Sequence, residues 1–109
     1  MAFDMTMSLT GRREKIEHYE EAFLRMIELE EDLDCPILEG IWEAFYEGPK
    51  IYPNQAAAAV NELDSVNRFM ADPKRSKSDR DQWTRTYSRL RSFFAEAHEI
   101  SSMIQCFSD

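Results

Sequence analysis

Glycine, proline, cysteine and histidine are all scarce in this chain, with three, four, two and two copies in 109 residues, and each scarcity closes off a class of protein. So little glycine and proline excludes collagen-like and low-complexity chains, and an apolar fraction of 43% is too high for disorder driven by charge. Cys35 and Cys106 lie far apart and match no CxxC or Cys/His metal spacing, so they read as free thiols in a reducing compartment. His18 and His98 lack the Glu three positions earlier that a di-iron bundle uses. No window reaches the roughly 18 apolar residues of a membrane span. The opening Met1 to Leu9 has no basic segment leading into an apolar run, so it does not read as a signal peptide. GxSxG, Walker A, GxGxxG and HExxH motifs are missing as well. The expectation is a soluble, cytoplasmic, non-catalytic protein with no cofactor, no metal site and no membrane partner.

What the chain does have is charge, and it is segregated. Residues 1–49 hold thirteen acids against four bases, whereas residues 50–109 hold eight acids and nine bases, so the whole net charge of −8 resides in the first half. Such an asymmetry predicts attraction to a basic protein surface and repulsion from nucleic acid.

Apolar residues recur with helical spacing in four stretches, and Gly and Pro punctuate the gaps between them. The spacing predicts an all-α fold, an antiparallel bundle of four amphipathic helices over about 12–33, 36–47, 54–71 and 79–106, in a single domain spanning 1–109. Residues 1–9 are expected to form a flexible N-terminal segment. The first stripe is Ile16, Tyr19, Phe23, Met26, Ile27 and Leu33, and the last runs from Trp83 through Tyr87, Leu90, Phe94, Ala97 and Ser101 to Ile104. Pro36 suits a first helical turn, Gly48-Pro49 ends the second helix, and Lys50-Ile51-Tyr52 is extended ahead of Pro53. Ile37, Leu38, Ile41, Trp42 and Phe45 form an arc too broad for one neighbour, which a second copy could cover in a homodimer.

Candidate contact residues follow from this helical frame. Glu39, Glu43 and Glu47 stand four residues apart as one acidic ridge, partly offset by Arg85 and Arg89 if the second and fourth helices adjoin. On the first helix Glu14, Glu17, Glu20, Glu21, Glu28 and Glu31 gather on the outer side, and Leu24 falls inside their arc. An apolar anchor ringed by carboxylates is a common way to build a binding surface, so Leu24, Glu17, Glu20, Glu21, Glu28, Glu31, Glu39, Glu43 and Glu47 are the expected partner contacts. The segment from Lys74 to Arg91 carries seven bases and two acids around Trp83 and Tyr87, which leaves a helical regulator binding nucleic acid through residues 74–91 as one alternative. A phage anti-defence protein mimicking nucleic acid at a host nuclease complex is another.

The run Gly48-Pro49-Lys50-Ile51-Tyr52-Pro53-Asn54-Gln55, leading into an alanine-rich helix with Val60-Asn61-Glu62-Leu63, resembles segments of small bacterial immunity proteins. These are the cognate inhibitors of toxins delivered by type VI or other contact-dependent secretion. The resemblance covers residues 48–70. It implies a cytoplasmic protein that binds one toxin catalytic domain and occludes its active site.

Overall fold

The computed structural model describes residues 3–44, 47–71 and 77–108. It overturns the all-α expectation: the chain is mixed α/β, with a four-stranded antiparallel sheet and four helices. In chain order the elements are β1 (Phe3–Met7), β2 (Arg13–Ile16), a 3-10 turn (His18–Glu20), α1 (Glu21–Leu29), α2 (Pro36–Ala44), β3 (Lys50–Ile51), α3 (Pro53–Met70), α4 (Lys77–Glu99) and β4 (Ile104–Ser108). The strands lie in the order β2-β1-β4-β3, so the two ends of the described chain form the centre of the sheet.

Three corrections follow. The segment expected to be flexible is instead a central strand: Phe3, Met5 and Met7 are 0% exposed and alternate with half-buried Asp4 and Thr6, the period of two that a strand with one buried face requires. The expected first helix opens instead with a strand and a 3-10 turn. Arg13 to Ile16 pairs with Thr6 to Phe3, and Gly11, at φ +73°, turns the hairpin by a left-handed conformation that glycine adopts without steric cost. The expected last helix stops at Glu99 because Ser101 takes φ +55°, with Ser101 N–H donating to His98 O and Ser102 N–H to Ala97 O. Those two bonds are a Schellman ending built on serine, so the usual glycine signal is missing from the sequence. Ile104 and Cys106 then face the core from β4, while Gln105 and Phe107 face out.

The inner face of the sheet packs against the helices. Phe3, Met5, Met7, Ile51, Ile104 and Cys106 meet Phe23, Leu38, Leu63, Phe93 and Phe94 in one core, with Phe3 edge-on to Trp42 at 5.7 Å. Helices α3 and α4 form the main helical pair. Phe45, from the expected apolar arc, lies outside the described residues. Among the described residues no helix covers the outer face of the sheet, which carries exposed Arg13, Lys15 and Lys50 and half-buried Asp4 around a half-exposed Phe107.

Two buried carboxylates tie the layers together. Glu62 of α3 accepts from Ile37 N–H at 3.0 Å and Leu38 N–H at 2.9 Å, capping the free N-terminal turn of α2 from another helix. Glu20 accepts from Thr86 Oγ1 at 2.5 Å and from Arg89 at 3.1 Å, joining the 3-10 turn to α4. Arg89 also reaches Glu14 at 2.9 Å and the Lys15 carbonyl at 2.7 Å. Burial works against its charge, but its bonds to Glu20 and Glu14 and their charges outweigh that and hold the guanidinium above its ordinary pKa.

Candidate protein-binding surface

The anchor expected at residue 24 is not at the surface. Leu24 is 3% exposed and packs in the core with Phe23 and Ile27. The expected stripe through Ile16, Tyr19 and Phe23 is broken, because Tyr19 belongs to the 3-10 turn and is 61% exposed; α1 starts two residues later and its inward face turns toward 23, 24 and 27. The exposed leucine of this helix is Leu29, at 72%. It stands at the C-terminal end of α1 beside exposed Glu28, Glu31 and Asp32. Nothing in the helical spacing alone separates Leu24 from Leu29; the starting point of the helix does.

The expected acidic contacts divide into two groups. Glu20 is 1% exposed and fully committed to Thr86, Arg89 and the Glu17 N–H, so it cannot meet a partner. Glu21 pairs with His18 at 2.8 Å, and Glu17 is half-buried beside the 3-10 turn. Glu28, Glu31, Glu43 and Glu47 are exposed and Glu39 is half-exposed, and among the described residues none of these five forms an ion pair. The expected offset of the α2 ridge by α4 is not made, because Arg89 is spent on Glu14 and Glu20, and Arg85 has no ion pair among the described residues.

Electrostatics single out the same region. Neither α1 nor α2 has a basic residue in its last turn, whereas α3 ends with Arg68 and α4 with His98. The C-terminus of a helix is its negative pole, and each carboxylate there costs about 0.3–1 kcal/mol at low ionic strength. Glu28, Glu31 and Asp32 crowd that pole of α1, and Glu43 stands in the last turn of α2. The C-terminal ends of these two helices are therefore charged against the dipole, a strain that a cationic partner would relieve, whereas Glu21 and Glu39 in their first turns are placed in its favour.

Gly40 adds to it. It lies inside α2 at ordinary helical φ, and a methyl group there would meet nothing within 4 Å. A mid-helix glycine costs about 0.5–1 kcal/mol relative to alanine, and here no internal contact demands it.

The basic segment fares differently. Lys74 and Arg75 lie outside the described residues. Trp83 is buried against Phe23 at 5.7 Å, Tyr87 donates its hydroxyl to Asp64 at 2.8 Å, and Arg91 pairs with Asp64 at 2.7 Å. The aromatics that a nucleic-acid reading would use for base stacking are thus committed to the interior or to Asp64.

The thiols are shut in. Burial pushes Cys35 up to about 11, with Glu62, Glu39 and Asp34 adding to the rise, and burial alone pushes Cys106 up to about 12. No helix among the described residues is long and apolar enough to cross a membrane. Comparison with protein-family models, with curated proteins and with solved structures finds no match for this chain.

Proposed function

We propose that the protein is a non-catalytic inhibitor that seats the acidic surface of α1 and α2 on a basic protein surface, in the manner of an immunity protein occluding the catalytic cleft of a toxin in the cytoplasm. The observation that carries this reading is the set of exposed carboxylates at two helix C-termini, Glu28 and Glu31 on one and Glu43 on the other, which form no ion pair among the described residues and oppose the helix dipoles. Charges retained at a cost to the fold are best explained by what they do to a partner. Leu29 supplies the exposed apolar contact expected at Leu24. Long-range attraction from this face would speed encounter with a cationic cleft, and added salt would slow it.

The test is paired affinity capture. Wild-type protein and the triple variant Glu39→Lys, Glu43→Lys, Glu47→Lys are used as baits in extracts of the source cells. A basic protein retained in one-to-one ratio by wild type only, whose enzymatic activity falls on binding and whose association slows with salt, is the expected result. Equal retention by both baits, or association indifferent to salt, refutes the acidic surface.

A further inference from the structure

The bare face of the sheet reverses the sign of the chain. Strand pairing sets two rows of side chains on it: Lys15, Asp4 and Phe107 in one, and Arg13, Thr6, Gln105 and Lys50 in the other. Three exposed cations thus stand against one half-buried carboxylate, in a chain of net charge −8. The cations form no ion pair among the described residues. Gln105 turns its amide to the carbonyls of Gly48 and Cys106, and Phe107 beside it is left 50% exposed.

The C-terminal end of α1 is built the other way round. Leu29, 72% exposed, stands among exposed Glu28, Glu31 and Asp32, with Arg25 one turn back as the base beside them. One patch is a phenyl ring among three cations and a carboxylate, and the other is an isobutyl group among three carboxylates and a cation. They belong to opposite layers of the fold, since the helices pack on the inner face of the sheet and the cations lie on its outer face. No ion pair joins them within one molecule among the described residues.

We infer that a second copy of this chain seats the C-terminal end of its α1 on the outer face of the sheet, with Leu29 against Phe107 and Glu28, Glu31 and Asp32 against Arg13, Lys15 and Lys50. The protein then associates with itself head to tail. Each patch supplies what the other lacks: apolar surface leaves water on both sides, and the carboxylates crowded at the negative pole of α1 gain cations. The two surfaces differ, so the contact is heterologous and leaves one open patch at each end of the assembly. Net charge limits its growth, because every added copy brings −8. At physiological ionic strength that repulsion is screened beyond about 8 Å, whereas the contact pairs lie inside this distance. The inference rests on the acidic-surface reading and adds its regulation: in stored copies the end of α1 is covered by a weak ligand that a more strongly basic cleft displaces.

Proton–nitrogen correlation spectra test it. As wild-type protein is concentrated to millimolar, the amides of Leu29, Glu31, Gln105 and Phe107 are expected to shift together, and to return in about 1 M salt, where screening reaches about 3 Å. Phe107→Ser should weaken the association by about tenfold. Two further variants each keep one patch: Arg13→Gln with Lys15→Gln and Lys50→Gln, and Glu28→Lys with Glu31→Lys and Asp32→Lys. All six residues are exposed, so both variants should keep wild-type amide dispersion, and neither alone should respond to concentration. Mixed, they can form one contact only, and Gln105 and Phe107 of the labelled lysine variant should shift. Both remain net negative, so this attraction cannot be laid to overall charge. Wild-type spectra that ignore concentration overturn the inference, as does a mixture without shifts. Concentration shifts confined to Ile37, Ile41 and Trp42 overturn it in favour of a dimer through α2. A uridine decamer that moves Gln105 and Phe107, when protein concentration does not, assigns the face to single-stranded nucleic acid instead. Each of these results leaves the proposed function to be decided by capture of a basic partner.

Discussion

Replacing Glu62 with alanine removes a cap that α3 supplies to α2, and its effect can be worked out bond by bond. Two N–H groups lose their acceptor: Leu38 N–H, at 2.9 Å in a buried site, and Ile37 N–H, at 3.0 Å in a half-buried one. A buried N–H left unpaired costs about 1–3 kcal/mol, and loss of an ordinary N-cap about 0.5–2 kcal/mol. Water can replace the acceptor at Ile37 but not readily at Leu38, and removing the carboxylate relieves some desolvation, so the net loss should be about 2 kcal/mol. Urea unfolding followed by far-UV circular dichroism measures it. The pH dependence is a second, independent check. Burial holds the Glu62 carboxyl above its ordinary range, its bonds from Leu38 and Ile37 pull it back, and Asp34 and Glu39 add to the rise. The folded state therefore binds this proton more tightly than the unfolded chain. Its contribution is fully present below the unfolded value of about 4.3 and is lost as pH rises through the higher folded value. Glu62→Gln does not titrate, so its deficit relative to wild type should shrink as pH climbs through that window. A Glu62→Ala loss under about 0.5 kcal/mol, or a Glu62→Gln deficit that grows with pH, refutes the reasoning.

Asp64→Asn should behave in the opposite sense. The Arg91 hydrogen bond, joined by that of Tyr87, holds Asp64 below its ordinary range, so its contribution is complete above the usual carboxylate pKa and its removal should cease to matter as pH falls through the folded value. A deficit that persists in acid would show that the pair is not its source. Arg89→Met leaves the buried Glu20 without its cation and should cost about 3 kcal/mol, with Glu20→Gln added to it recovering part of the loss; simple additivity in that double-mutant cycle would rule out the coupling. Deleting residues 1–7 removes Phe3, Met5 and Met7, each worth about 1.5–3 kcal/mol in burial, from a fold of about 5–15 kcal/mol total stability. Amide dispersion should collapse, and a truncated chain melting like wild type would disprove the central strand. Neither thiol of the native protein should react with iodoacetamide near about pH 8, and both should react in urea. Native-state labelling, read by mass, would contradict their burial.

The sequence alone determined the charge segregation and the interior helices. Pro36, Gly48-Pro49 and Pro53 act through local backbone chemistry, and the observed α2 at Pro36–Ala44 and α3 at Pro53–Met70 begin where those prolines set them. Extension ahead of Pro53 was legible for the same reason, and Lys50–Ile51 is the edge strand β3. Alternation in Phe3, Met5 and Met7 was also present, but a five-residue run is a weak signal, and its partners Ile104 to Ser108 lie about a hundred residues away, beyond anything a local pattern can report. Ile104 happened to continue the helical phase of Ala97 and Ser101, so only the left-handed turn at Ser101 parted helix from strand. Which carboxylates face outward was likewise a tertiary outcome. Glu20 and Glu28 are the same residue type eight positions apart, yet one is buried by α4 and held by Arg89 while the other is exposed, because a side chain's exposure depends on what folds over it. Local propensity can place a helix along the chain. Only the packing of sheet against helices decides which of its faces remains available to a partner.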